Sequence, residues 1–373
     1  MAISLIFDKS AFQLLNKDEI ILLHKYFLVN IPPVLVMEII GDLKKEVKGE
    51  EINIDEVIKL AKKTHPFNSH INTHYIHLIE GELLGKQKVE FYRPIINTAE
   101  LVEMANGKRG YRIHKSDEEI AIDRWKEGNF LETDRILSQT WRDITLQKDI
   151  LTNVKEYFKD LFIFEGLKTQ KDILNVFDLF FNKPNFQTVC IELFIQEFSI
   201  SPEKASQIFY RWETTSEKNL LSFAPYSLFC LRARFLFYIL LRNNIINDFP
   251  TNWVDLNYVY YLPFCRIFVS NDKKLHDKIV PFLINQNQRY INGEQMKKEL
   301  QQIIEIKKRL TGKELIRTEK EPPRNPELLI YQIWNQMLVG WPPEKDWDPS
   351  PEEFKMMNDM ITQFRNSKPV KEV

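Results

Sequence analysis

The spacing of apolar residues along the chain predicts short strands at its two ends of a long helical middle. "ISLIF", Ile3 to Phe7, is a brief, branched, apolar run, which predicts a buried strand. It stops at an acid, Asp8. Asn16 with Glu19 three residues on, ahead of "IILLHKYFL", carries the capping-box signature of a helix start. "IPP" at Ile31 to Pro33 interrupts the pattern, and Pro33 suits the first position of a helix over "PVLVMEIIGDLKK". Much later, "LLSFAPYSLFCLRARFLFYILL" predicts one mostly buried helix. The segment after it divides into a helix around Trp253 to Tyr261, a break at Pro263, a strand "RIFVS" and a helix from about Lys273. Strands bounded by helices at both ends of this span predict an α/β fold.

Between Lys48 and Ser216 the pattern is charged and largely helical, with few strand signals, dense phenylalanines from Phe158 to Phe209 and no internal repeat. Ser201-Pro202-Glu203 marks a helix start, and "NGKRGYRIHKSDEE" a polar, basic loop or short hairpin. The C-terminal part predicts an amphipathic helix, a Pro-rich charged stretch, and helix starts at Asn325-Pro326-Glu327 and Ser350-Pro351-Glu352, with "NSKPVKEV" fraying. The expected organisation is a discontinuous α/β domain from 1–48 and 217–290, a helical insertion over 49–216, and a helical extension over 291–373.

Composition narrows the classes. A chain of 373 residues, 44% hydrophobic, can bury two or three cores. With 51 basic and 52 acidic residues there is no global positive field, so nucleic-acid binding would need local basic patches. Cys190, Cys230 and Cys265 lie far apart in apolar surroundings, which argues against a disulfide framework or thiolate metal site and fits a reducing compartment. The N-terminus lacks the pattern of a cleavable signal. The most apolar stretch carries Arg232 and Arg234 in its middle, which favours a buried helix over a membrane span. The expectation is a soluble, cytoplasmic protein with no membrane partner.

Four acids stand out by position. Asp8 ends the first strand, Glu38 sits inside "VLVMEIIGDL", Asp255 opens the helix "NWVDLNYVYYL", and Asp272 follows the second strand in "IFVSNDKKL". Residues just past the carboxyl ends of strands line the ligand crevice of α/β sheets. Converging carboxylates suit magnesium or manganese, hard ions that take oxygen ligands, and such a site can activate water against a phosphodiester. Each acid also has an ordinary reading. Asp272 can simply cap the following helix, and Asp255 can complete a capping box begun by Asn252. Asp42, one turn after Glu38, joins the site's edge or faces solvent. Glu38, among Val34, Leu35, Val36, Met37, Ile39 and Ile40, is costly to bury without a partner.

"LIFDKSAFQLL", the Glu38 helix and "WVDLNYVYYLPFCRIFVSNDKKL" together resemble the PIN-like nuclease domain, over roughly 1–48 and 220–285. Asp8, Ser10 and Ala11 match its first motif, Glu38 its early glutamate, and Asp255, Ser270, Asn271 and Asp272 its late ones. Lys9 stands where a small residue or threonine is commoner. The resemblance implies a three-layer α/β/α domain and a ribonuclease dependent on Mg2+ or Mn2+, with Asp8, Glu38, Asp255 and Asp272 as catalytic metal ligands and RNA as substrate. It also implies a toxin, defence or RNA-processing role, with an inhibitory or regulatory protein partner. The alternative is an inactive PIN-like protein that binds RNA or a partner through its helical insertion.

Other features have two readings each. His70, His74 and His77, with Glu80 and Glu82 nearby, make one stripe if the segment is helical, a weak zinc or RNA-contact signal set against an ordinary polar face. Arg232 and Arg234 need partners, either structural acids or a phosphate or site carboxylate. Lys108, Arg109 and Arg112 offer a weak contact for a nucleic-acid backbone or a solvated loop. Trp334, Trp341 and Trp347 are packing residues or, if exposed, a partner surface.

Overall fold

A computed structural model describes residues 2–44, 54–64, 69–96, 99–104, 107–146, 166–167, 169–216, 218–343, 350–365 and 368–369. In chain order the strands are β1 (Ser4–Phe7), β2 (Leu28–Ile31), β3 (Ser69–Ile71), β4 (Ala99–Glu103), β5 (Arg109–Ile113), β6 (Ile267–Ser270), β7 (Arg289–Asn292) and β8 (Lys368–Pro369). The first seven helices are α1 (Lys9–Leu14), α2 (Lys17–Tyr26), α3 (Pro33–Gly41), α4 (Ile54–Lys63), α5 (Tyr75–Leu83), α6 (Asp117–Lys126) and α7 (Glu132–Leu146). Then come α8 (Gln170–Asn182), α9 (Pro184–Glu197), α10 (Pro202–Thr214), α11 (Leu220–Phe223), α12 (Pro225–Arg242), α13 (Thr251–Val259) and α14 (His276–Leu283). The last are α15 (Gly293–Lys307), α16 (Gly312–Arg317), α17 (Leu329–Met337) and α18 (Pro351–Arg365).

Five strands form a parallel sheet in the order β3-β2-β1-β6-β7, flanked by helices. β1 is central. Leu5 pairs with Val29 on one side and Ile267 on the other. Every residue of β1 and β6 is buried, as a strand covered on both faces requires. The chain steps outward from β1 to β2 and β3, then returns to the far side of β1 for β6 and β7. The reversal lies between β1 and β6, and the carboxyl ends of those two strands frame the crevice where open parallel sheets bind ligands.

The predicted strands at Ile3 to Phe7 and "RIFVS" are present, but the sheet is wider than 1–48 and 217–290 allow. The apolar run "IILLHKYFL" does not stay helical. α2 ends at Tyr26, and β2 follows after Phe27. β3 comes from inside the supposed insertion, and β7 crosses the expected boundary at 290. β4 and β5 form an antiparallel hairpin, with β8 added at the other edge of β4, so part of the expected fraying tail is paired. The start of the Phe-dense stretch and Trp347 lie outside the described residues.

The helix starts follow their caps. Asn16 and Glu19 make the capping box of α2, Pro33 is the first residue of α3, and Ser201 caps α10. Ser350 and Glu353 exchange hydrogen bonds at the head of α18. Asn325-Pro326-Glu327 forms a turn instead, and α17 begins three residues later than the predicted start, at Leu329. The single helix predicted over 220–241 is broken between α11 and α12, where Pro225 opens the second helix. Ala224 has no capping side chain, so the orphan N–H groups need another acceptor. Glu82, from the end of α5, accepts from Tyr226 N at 3.1 Å, Ser227 N at 2.7 Å and Ser227 Oγ at 2.8 Å. Burial pushes its carboxyl upward, and these donors oppose that.

One apolar cluster runs from Ile3 through Trp212 and Phe264 to Ile333, so the middle and C-terminal helices share the sheet's core. No helix among the described residues is long and apolar enough to cross a membrane. Glu82→Ala should lower the unfolding free energy by about 1–3 kcal/mol, because it strands two buried N–H groups at the head of α12. Urea denaturation checks this, and Glu82→Gln should recover part of the loss.

Candidate metal centre

β1 and β6 deliver their acids side by side at the crevice. Asp8 is the N-cap of α1 and accepts from Ala11 N at 2.8 Å. Ser10 Oγ donates to its Oδ1 at 2.8 Å, and Ser270 Oγ, at the end of β6, donates to its Oδ2 at 2.6 Å. His276 Nδ1 lies 3.3 Å from the same Oδ2. Asp272 accepts from Lys274 N, Leu275 N and His276 N at 2.9, 3.0 and 3.0 Å, closing the turn that leads into α14. Both aspartates therefore cap local structure and also belong to the cluster.

Asp255 and Glu38 complete it from two helices. Asp255 sits inside α13 rather than at its start. Asn252 is also helical and donates to Asn247 O at 2.6 Å, so the capping-box reading is wrong. One oxygen each of Asp255 and Asp272 and one ring nitrogen of His276 lie within 4.8 Å of one another. Glu38, in α3, is half-buried, and Tyr258 Oη donates to its Oε2 at 2.5 Å. Lys9 donates to the Glu38 carbonyl at 2.9 Å and pairs with Asp42 at 2.7 Å, so Asp42 is a buried ion-pair partner rather than a solvated edge.

His276 has no accessible surface, and its partners fix its charge. Nε2 faces the Asp255 carbonyl oxygen at 2.9 Å, which can only accept. Nδ1 faces Ser270 Oγ at 2.8 Å, but that hydroxyl already donates to Asp8 and accepts from Asp272 N. Both ring nitrogens thus donate, and the ring is an imidazolium. Burial works against the charge. The hydrogen bond to Asp8 and the charges of Asp8, Asp255 and Asp272 outweigh it and raise the pKa to about 9. For Asp8, burial raises the carboxyl, but His276, Ser270 and the Ala11 N–H bring the net shift downward. Asp255 goes well up, through burial and then the charges of Glu38, Asp272 and Asp8 against His276. Glu38 also goes up, chiefly through burial, with Lys9 and Tyr258 opposing.

Among the described residues, Lys9 and His276 are the cations that these interactions set against Asp8, Glu38, Asp42, Asp255 and Asp272. The donor set is hard oxygen, and two of its carboxyls are pushed toward neutrality, which is the condition a divalent Mg2+ or Mn2+ relieves. Glu38, Asp255 and Asp272 fit as ligands. Asp8 and His276 are held by neighbours and fit better as supports. A cavity of about 80 Å³ opens here, lined by Lys9, Glu38, Asp42, Arg142 and Asp255.

The remaining candidates lie elsewhere or are otherwise engaged. Asn271 accepts from Glu294 N at 3.2 Å and ties β6 to α15, and its own N–H donates to Ser10 Oγ at 3.1 Å. Arg234 pairs with Glu197 at 3.6 Å and donates to Tyr260 Oη at 2.8 Å, so a structural acid engages it, and Arg232 stacks over Phe177 at 4.8 Å. The histidine stripe does not form. His70 is in β3, His74 caps α5, and His77 is in that helix's first turn; Glu80 pairs with Lys204 and Glu82 caps α12. Arg109 and Arg112 face Glu103 and Glu100 across the hairpin at 3.0 and 3.8 Å, which neutralises much of the basic patch, and Lys108 lies at its turn. Trp334 and Trp341 pack edge-on at 5.3 Å. Sequence reasoning missed Ser270 as a ligand of Asp8, and His276 and Tyr258 altogether. The Asp272–His276 spacing of one helical turn was the available signal for the histidine.

These features define an α/β protein with a carboxylate–imidazolium cluster at the switch point of a parallel sheet. No family model, curated protein or solved structure matches the chain.

The pH dependence follows from His276. Its folded pKa of about 9 exceeds the ordinary 6.5, so its contribution to stability is complete below pH 6.5 and is lost as pH rises through about 9. In EDTA, His276→Gln should be less stable than the parent by about 3 kcal/mol at pH 6, with the gap narrowing toward pH 9. Urea unfolding across that range measures it. A gap that is constant with pH would show that the ring's pKa is the same folded and unfolded, and one that widens as pH rises through 6.5 would show a ring held neutral when folded.

Proposed function

We propose that the chain is a PIN-like, divalent-metal-dependent hydrolase of RNA phosphodiesters. The observation that carries this is the meeting of Asp255, Asp272 and His276 at the β1–β6 crevice, with Glu38 and Asp8 close enough for their charges to act on Asp255, from chain segments far apart. The order and identity of these acids are those of the resemblance, and the acid set suits Mg2+ or Mn2+. When bound, the ion supplies Lewis acidity and a more acidic water. The chain's own groups prepare the place. Ser270 and His276 hold Asp8, Tyr258 fixes one oxygen of Glu38, and Lys9 holds Asp42. Lys9 and Arg142 line the same cavity and suit the phosphate. A cytoplasmic toxin or defence nuclease is the biological setting that the resemblance favours.

A second reading has its own support. Asp8 and Asp272 spend their oxygens on hydroxyl and N–H donors, as purely structural acids do. Ile136, Leu137 and Ile144 on α7 are exposed, as a helix that binds RNA or a protein partner requires. In that case the protein is an inactive binder.

Asp255→Asn and Glu38→Gln separate the two, because those carboxyls already lean toward the neutral form and the substitutions cost little folding energy. Asp8→Asn is a poorer probe, since it leaves the His276 cation buried beside a weaker partner. The expected result is Mn2+-dependent cleavage of single-stranded RNA that falls at least about 100-fold in both variants. Saturating Mn2+ should also raise the parent's unfolding free energy, by about 2.7 kcal/mol at 100 times Kd, and do so much less in Asp255→Asn. RNA binding without cleavage, and no Mn2+ stabilisation, would favour the inactive binder.

A further inference from the structure

A second cavity adjoins the acid cleft, and its chemistry is opposite. It is about 200 Å³ in volume, smaller than the roughly 300–1,000 Å³ of pockets that take drug-sized ligands. Tyr75, Trp141, Trp253 and Tyr261 supply aromatic walls, and among the described residues the lining holds no lysine, arginine or acid. Trp141 and Val254 line both cavities, so the two are neighbours across those side chains. One side therefore offers Lys9, Arg142 and carboxylates, and the other offers uncharged rings. A nucleotide has the same division between phosphate and base.

The walls are braced from behind. Arg234 lies 5.0 Å over the Trp253 ring, and Phe237 meets that ring edge-on. Tyr260 packs against Tyr75 at 4.7 Å, and Tyr261 Oη accepts from Tyr75 N at 2.9 Å. Trp141 seats on Gly41, where a Cβ would lie 2.5 Å from its Cδ1. Rings held in this way lose little freedom when a ligand stacks between them. Two polar edges remain. Asn257 donates its Nδ2 hydrogen to Trp253 O, which leaves its side-chain oxygen as an acceptor. His74 Nδ1 accepts from Ile76 N, which leaves Nε2 as a donor at the rim.

We propose that this aromatic cleft, walled by Trp141 and Tyr75, receives one unpaired nucleobase of the strand whose phosphate enters the Glu38–Asp255 cleft, and so selects single-stranded RNA. The inference rests on the nuclease reading. Stacking on aromatic side chains is how single strands are held without a sequence code, and a paired base cannot enter.

The test places 2-aminopurine at one position of a short single-stranded RNA and adds Asp255→Asn protein with Mn2+, which holds the strand uncut. Quenching of the fluorescent base is expected on binding. Trp141→Leu and Tyr75→Leu, each added to Asp255→Asn, should abolish the quenching and weaken Kd by about 5-fold to 150-fold. Tyr75→Leu, which alters the aromatic cleft but no residue that lines the acid cleft, should leave the Kd for an abasic oligomer of equal length unchanged. Binding without quenching, or equal losses on normal and abasic strands, overturns the cleft assignment while Mn2+-dependent cleavage by the parent keeps the hydrolase reading. A parent chain that neither cleaves nor binds single-stranded RNA overturns both.

Discussion

Burying Asp8 beside other acids is the constraint around which the centre of the molecule is arranged. A carboxylate with 3% exposure has lost most of its water and needs compensating donors. Ala11 N and Ser10 supply two from the start of α1, and Ser270 supplies a third from β6. The charge itself is met by His276, which is positioned by the turn that Asp272 closes and anchored by the Asp255 carbonyl. The network joins β1, β6, α13 and α14 at one point. Removing one member leaves another buried and unpaired, which is more damaging than the loss of a single hydrogen bond.

The same network separates the acids into two kinds. Asp8 is stabilised as an anion. Glu38 and Asp255 are pushed the other way by burial and mutual repulsion. Environments that drive neighbouring carboxyls apart are typical of sites where protons or cations exchange. Asp42, at the edge of the same cluster, has its carboxylate paired with Lys9.

Legibility in the sequence followed how local each signal was. β1 and β6 are uninterrupted apolar runs, and α2, α3, α10 and α18 carry their caps within three residues, so they could be read directly. β2 could not, because "LVNI" continues the apolar run of α2 without a turn residue between them. β3 is three residues of mixed polarity, and β7, "RYIN", is mostly polar; each is a strand because a neighbour already in the sheet offers hydrogen bonds. The histidine stripe failed for the same reason, since pairing Asn30 with His70 removes that histidine from any helix. The four acids were visible by position, but their surroundings were not. His276 looks like an ordinary helix residue until the fold sets β1 against β6.

The segment over 49–216 is therefore not an appendage. It contributes β3 to the sheet and Glu82 to the head of α12, and it brings α7 against α3. At Gly41 only a residue without a side chain admits the Trp141 ring, since a Cβ there would lie 2.5 Å from its Cδ1. The ring in turn forms the partition between the charged cleft and the aromatic one. Asp255 and Asn257 lie two residues apart on α13 and line the two clefts separately, and Val254 lines both. The acid site and its neighbouring cleft are thus held in register by one helix of the α/β body and closed by one helix of the long middle region. Their separation is as rigid as the packing of Trp141 on α3 allows.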